Sequence, residues 1–235
     1  MPKAVVVNFL NLIIIVYSYR IHIGGLWMVE ESVVFWIGAL IFGFSSLMFA
    51  VLENRSSSRQ FLFSSNVFVS FFTTISYVVM ALALATVSAE NGQPVYWTRW
   101  LFYIGSCSIL TLDMATIAGK PDVKKAEISL FTALTMFCGF LASMISSVDR
   151  WWFFGLSTAA YIGMLFTLFK PTREGGSGAS SVMWFVIVTW SLFPVVWVLA
   201  PTGFGVIAID LEAILYLALD IVTKIAFGIY ISSRN

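Results

Sequence analysis

Charge is what this chain lacks. Only 11% of its 235 residues are Asp, Glu, Lys or Arg, while 60% are hydrophobic; soluble domains run near 25% charged. The shortage excludes an ordinary water-soluble domain. Cysteine is scarce too. Cys107 and Cys138 both fall inside apolar segments and read as buried free thiols, which excludes a disulfide framework. A net charge of +1 gives no electrostatic reason to bind nucleic acid, and no metal-ligand grouping stands out. The alternating stretches of about ten residues that build membrane barrels are missing as well.

What the chain has instead is apolar runs of about 20 residues, the length of a membrane-crossing helix. Seven spans can be marked: Ser32–Leu52, Phe61–Ala85, Val95–Ile117, Ala126–Ile145, Trp151–Phe169, Val182–Ala200 and Val206–Ser232. Each covers a core of about 30 Å at ~1.5 Å per residue. The connections are short, so neighbouring spans should pack antiparallel. The expected fold is an all-α membrane protein, a seven-transmembrane-helix bundle, with residues 32–235 as one domain. A lipid bilayer is its first partner.

Basic residues set the orientation. Arg55, Arg59, Lys120, Lys124, Lys125, Lys170 and Arg173 follow spans one, three and five, and Arg234 ends the chain. The loops after spans two and six have no Lys or Arg, and that after span four has only Arg150. The positive-inside rule puts the C-terminus in the cytoplasm and the N-terminal side outside. Lys170-Pro-Thr-Arg-Glu-Gly-Gly-Ser-Gly-Ala-Ser reads as the most flexible loop. Residues 1–31 form an N-terminal extension, in which Ala4–Tyr17 is apolar between Lys3 and Arg20. It fits an interfacial helix or the hydrophobic region of a signal peptide.

Against this apolar background the ionisable residues stand out. Lys224 lies near the middle of span seven, where a lysine costs roughly 3 kcal/mol. Asp220 precedes it by four residues and so shares its helix face. An amine beside a carboxylate inside a membrane is the layout that holds a charged Schiff base. On span three, Arg99, Phe102, Ser106 and Asp113 fall within about 60° of one another, one stripe running ~21 Å from Arg99 to Asp113. Intramembrane ionisable residues mark ion or proton paths, although Arg99 also fits an interfacial snorkel and Asp113 a structural carboxyl. On span six, Trp190, Phe193 and Trp197 share a face, and Pro194 predicts a kink that makes the cytoplasmic half of that span a moving part.

Seven spans, Asp220-x-x-x-Lys224 on the last one, and Trp190-x-x-Phe193-Pro194-x-x-Trp197 on span six resemble the microbial (type 1) rhodopsins from about Phe35 onward. Tyr96-Trp97-Thr98-Arg99 and Leu219-Asp220-Ile221-Val222-Thr223-Lys224 with Phe227-Gly228 are the most specific pieces. The resemblance implies all-trans-retinal bound to Lys224 as a protonated Schiff base. It implies a pocket lined by Trp190, Phe193 and Trp197, with Tyr77, Tyr103, Cys107, Pro194 and Phe154 as further neighbours. It also implies a light-driven transporter or receptor rather than an enzyme, commonly a homo-oligomer, trimer or pentamer.

Outward proton pumps of that family carry a carboxylate three residues after the arginine. Here that position is Phe102, which can neither accept a proton nor offset a charge. Asp220 is left as the carboxylate beside the Schiff base. Phe102-Tyr103, Ser106-Cys107 and the acid at 113 are similar to the schizorhodopsins, light-driven inward proton pumps with Phe, Ser and Glu at these positions. Asp113 is one methylene shorter than Glu, which bears on release kinetics rather than direction. The expected proton path leaves Lys224 toward Asp113 and the cytoplasm and refills from outside past Arg99. Glu212 lies eight residues before Asp220, ~12 Å nearer the outside, either on that path or as a solvated helix-start carboxylate.

Three alternatives remain open at the level of sequence. Light-driven chloride pumps also lack the acid at the 102 position, but they place a small Thr or Ser where the anion docks, and Phe102 fills that space. A photosensor or light-gated channel would share the pocket. A membrane protein without retinal would carry the Asp220–Lys224 pair by chance.

Overall fold

The computed structural model describes residues 30–55, 60–170 and 177–233. The expectations for residues 1–29, including cleavage, and for most of the loop after Lys170 lie outside the described residues. Helices α1 (Glu31–Arg55), α2 (Gln60–Ala81), α3 (Thr98–Ile117), α4 (Asp122–Met144) and α5 (Arg150–Phe169) each form one span. Span six is split into α6 (Ser177–Trp190) and α7 (Leu192–Leu199). Span seven runs as α8 (Ile209–Asp220), a π-helical segment (Ile221–Ala226) and α9 (Phe227–Ser233). Sequence neighbours pack side by side, and α1 also packs on α8, which closes the ring. The result is the seven-helix, all-α membrane bundle expected.

The bundle is apolar outside as well as in its core, and its few charged side chains at membrane depth are turned inward. Leu40, Phe44, Leu130, Trp152 and Phe166 are exposed on the rim, while Arg99, Asp113, Asp220 and Lys224 are buried. Such an arrangement suits lipid as the surrounding solvent, since charge is tolerated at bilayer depth only when it faces the interior.

Among the boundaries that differ from the sequence reading, three have a clear local reason. Span two stops at Ala81 rather than Ala85, because Ala83 and Ala85 take the left-handed conformation at φ 50° and 57°. The Leu84 amide donates to Val79 O at 3.1 Å and the Ala83 amide to Met80 O at 2.9 Å, the closing bonds of a Schellman-type cap. Glycine usually occupies such a cap, so Ala-Leu-Ala read as continuing helix. Span three opens at Thr98 rather than Val95, because Val95 is spent in a hairpin. Strands β1 (Val87–Ser88) and β2 (Pro94–Val95) pair antiparallel with Val87 opposite Val95. Asn91-Gly92, with Gly92 at φ 78°, makes the turn, a hairpin signal that the reading for helices passed over. Span seven opens at Ile209 rather than Val206, after Gly205 at φ 65°.

Span six breaks where Pro194 dictates. Proline has no N–H to give Trp190 O and its ring crowds that carbonyl, and the helix is interrupted at Ser191. The hairpin is tied down beneath this break. Arg150, the first residue of α5, pairs with Glu90 and donates to Thr202 O at 3.1 Å, while Gln93 Oε1 accepts the Ile209 amide at 3.2 Å.

Candidate functional site

Lys224 is 2% exposed and stands in the π-helical segment, one turn beyond Asp220. The extra residue in that turn is a feature common at functional sites, and nothing in the i, i+4 spacing announces it. Lys224 Nζ donates to Asp220 Oδ1. It also lies 3.9 Å from the centre of the Tyr103 ring and 5.5 Å from that of Phe193. A buried cation is thus held by one carboxylate and two aromatic faces, the arrangement that offsets its desolvation.

The carboxylate is held in turn. Asp220 Oδ2 accepts from Tyr77 Oη at 2.7 Å, from Tyr103 Oη, and from Arg99 Nη1 at 3.4 Å. Arg99 is buried, with its guanidinium 4.5 Å from the centre of the Tyr216 ring and 5.4 Å from that of Tyr77. Arg99 is therefore a member of the site and not a snorkelling interfacial residue. The charges at the centre are two cations sharing Asp220, with two phenol donors fixing where the negative charge sits.

Beside Lys224 opens a cavity of about 430 Å³, within the roughly 300–1,000 Å³ of small-molecule sites. Trp100, Tyr103, Cys107, Phe154, Trp190, Phe193, Pro194 and Trp197 are in its wall together with Lys224. Phe154 and Trp197 stack at 4.7 Å, and Trp197 Nε1 donates to Ser143 Oγ at 3.0 Å, which fixes that wall. Trp190 Nε1 is buried with no acceptor among the described residues.

One residue sits elsewhere than the sequence reading placed it, and the others lie on the elements expected. Tyr77 is not part of the cavity wall. It is committed to Asp220 and packs flat on Phe42, ring centres 5.7 Å apart. Phe102 is half-buried and also off the wall. Ser106 is buried, and its hydroxyl bonds back to Phe102 O at 3.3 Å. Asp113 is fully buried farther along α3, and among the described residues neither carboxylate oxygen meets a donor in hydrogen-bond geometry. Ser65 adjoins it, but the Ser65 hydroxyl is given to Phe61 O at 3.0 Å. Glu212 is half-buried in the first turn of α8, within electrostatic reach of Arg99.

Trp100 and Tyr216 were missed. Tyr216 is four residues before Asp220 and eight before Lys224, so the same helix-face argument reaches it. Trp100 packs edge-on against both Tyr103 and Tyr216, at 5.9 and 5.8 Å. It lies off the Arg99 stripe, but it precedes Tyr103 by three residues and Cys107 by seven, so the spacing that groups Trp190, Phe193 and Trp197 reaches it. Met136, Gly139, Ser157, Thr158 and Tyr161 add α4 and α5 to the cavity wall.

A membrane bundle whose last span presents an aspartate-bound lysine to an aromatic cavity defines a microbial rhodopsin. The chain belongs to the bacteriorhodopsin-like family, whose profile matches residues 29–233. It is similar to sensory rhodopsin-2 of Natronomonas pharaonis, 25% identical over 210 residues that cover 86% of this chain and 87% of that one. A bacteriorhodopsin-II-like protein of Haloquadratum walsbyi is 30% identical over 218 residues, covering 85% and 88% respectively. Among solved structures, schizorhodopsin 4 superposes with a TM-score of 0.82 at 35% identity, covering 88% of this chain and 100% of the other.

Retinal is the cofactor of this family, and the residues present fit it. A buried primary amine can form the imine, the cavity is apolar and lined by aromatic rings, and Asp220 stands where a positive imine nitrogen needs its counter-charge.

Proposed function

We propose that this protein is a light-driven inward proton pump. One observation carries the reading: Asp220 is the carboxylate bonded to Lys224 Nζ, while Phe102 stands where an outward pump has its second acid. Retinal held on Lys224 between Trp190, Phe193 and Trp197 would supply a light-driven isomerisation. Everything else is done by side chains. Tyr77 and Tyr103 pin the Asp220 charge on one side of Lys224. A proton on Nζ turned away from Asp220 loses the charge that offset its burial. With no acid at 102 to collect it, the proton moves along α3, past Ser106 and Cys107, toward Asp113. The unpartnered Asp113 oxygens are free to attract or to take it. Arg99 and Glu212 stand on the opposite side, where refilling occurs. In this reading the lysine-rich end of the bundle is cytoplasmic, residues 1–31 are an appendage to the 32–235 domain, and the pigment assembles as a trimer or pentamer.

Photocurrent at zero voltage in symmetric solutions tests the proposal. An inward pump drives a current inward with respect to positive charge, unchanged when chloride is replaced by a large anion. A channel gives no current without a gradient. A chloride pump loses its current on replacement, and an outward proton pump reverses the sign. Cross-linking in native membrane followed by mass measurement tests the oligomer.

A further inference from the structure

We propose that Glu31 is the outer proton-collecting carboxylate of this pump, sharing one proton with Glu212 across Tyr96. The inference rests on the inward reading of the site and extends it to residues that the retinal pocket leaves unused.

Glu31 opens α1, and an acid in a first turn needs no further role than favouring the helix dipole. Glu30, fully exposed beside it, fits that description. Glu31 does not. It is half-buried, and its Oε1 accepts the Tyr96 hydroxyl at 3.4 Å, a contact between segments 65 residues apart. Tyr96 is seated by the Phe35 ring, edge-on at 4.8 Å, and Phe35 itself lies 6.0 Å from the Arg99 guanidinium. The first two turns of α1 are therefore built onto the buried cation that holds Asp220.

Tyr96 is bonded to one acid, Glu31, and lies within electrostatic reach of a second, Glu212. Burial, the Glu31 charge and hydrogen bond, and then the Glu212 charge push its hydroxyl up to about 12. It stays a neutral donor across the physiological range and serves as a bridge rather than a titrating group. Glu212 in turn faces Arg99 and Tyr216. Exposed Glu30, half-buried Glu31, half-buried Glu212 and buried Arg99 form a series of increasing burial that ends at Asp220. Two carboxylates around one phenol donor repel when both are ionised, and sharing a proton relieves this. In the step inferred, a Glu31 carboxylate oxygen takes a proton from external water. Tyr96 then turns its O–H to Glu212 and gives that proton up, and the Glu31 proton replaces it on the phenol oxygen. Only O–H bonds break and form.

The Arg150–Glu90 and Gln93–Ile209 ties hold the hairpin against α5 and the start of α8. On the α1 side, exposed Glu30 stands next to half-buried Glu31, which puts this pair of acids within reach of outside water.

The test is flash photolysis of the retinal-loaded E31Q variant with an external pH dye. The expected result is an unchanged absorption maximum and unchanged deprotonation of Lys224 Nζ. Reprotonation slows on the order of tenfold, less than the loss of a full general acid because Glu212 remains. Azide, a small diffusible acid, restores the rate, and E31D restores most of it. Wild-type reprotonation in E31Q overturns the proposal. So does a slowing that azide leaves untouched, since that marks Glu31 as a structural residue. The two readings fail separately: outward transport by the parent protein refutes the pump direction, whereas inward transport with an indifferent E31Q refutes only the role of Glu31.

Discussion

Gly38 is the least obvious residue on which the site depends. It lies on α1, away from the cavity, yet a Cβ built there would stand 2.5 Å from Tyr77 Cδ1 and 2.6 Å from Cε1. The ring must retreat about 1 Å to recover the ~3.5 Å of ordinary carbon contact. It has no room to do so. Tyr77 is fully buried, its ring lies flat on Phe42 at 5.7 Å, and its hydroxyl is 2.7 Å from Asp220. Gly38→Ala therefore overpacks the core, at about 1–3 kcal/mol, and stretches a charge-assisted hydrogen bond worth about 1.5–3 kcal/mol. The better helix propensity of alanine returns about 1 kcal/mol. The net loss is about 2–5 kcal/mol. Gly43→Ala is the control on the same helix, because its Cβ meets only Thr74 Cγ2, at 3.8 Å. Loss of visible absorbance on heating measures stability, and the absorption maximum reports the field of Asp220. G38A should bleach at lower temperature and shift its band, while G43A should do neither. Indistinguishable G38A and G43A would refute the claim that α1 positions Tyr77 and, through it, Asp220.

Other consequences are more direct. Lys224→Ala, supplied with all-trans-retinal, should give no visible band, and a band of normal intensity would place the chromophore elsewhere. Asp113→Asn should leave thermal stability within about 0.5 kcal/mol, since among the described residues its carboxyl makes no well-formed hydrogen bond, yet should slow transport; an unchanged rate removes Asp113 from the path. Arg150→Gln should release the hairpin without touching the cavity. Its pair with a largely exposed Glu90 is worth about 1 kcal/mol, so hydrogen exchange at 87–95 should quicken roughly fivefold.

The spans and the Lys224–Asp220 pair are legible in the sequence because both rest on one-dimensional rules, run length and the i, i+4 repeat. The Trp190–Phe193–Trp197 face is legible for the same reason. What escapes is set by how helices are rotated against one another. Tyr77 and Tyr103 both reach Asp220, one from α2 and one from α3, and no spacing along either helix says which phenol meets the carboxylate. Glu31 meets Tyr96 across the bundle on the same terms. Local surprises have a second origin. A helix cap made from Ala83 and a π-helical turn around Lys224 contradict residue preferences and are imposed by packing. The Asn91-Gly92 hairpin is the exception, a signal present in the chain and masked by the expectation of helix.

The sign of the light-induced pH change in an unbuffered suspension of expressing cells tests the central claim most directly. With Asp220 as the counter-charge and Phe102 in place of a second acid, illumination should make the medium alkaline, and a protonophore should abolish the signal. Acidification of the medium would contradict the account; alkalinisation that a protonophore increases would mean that an anion, not a proton, is carried.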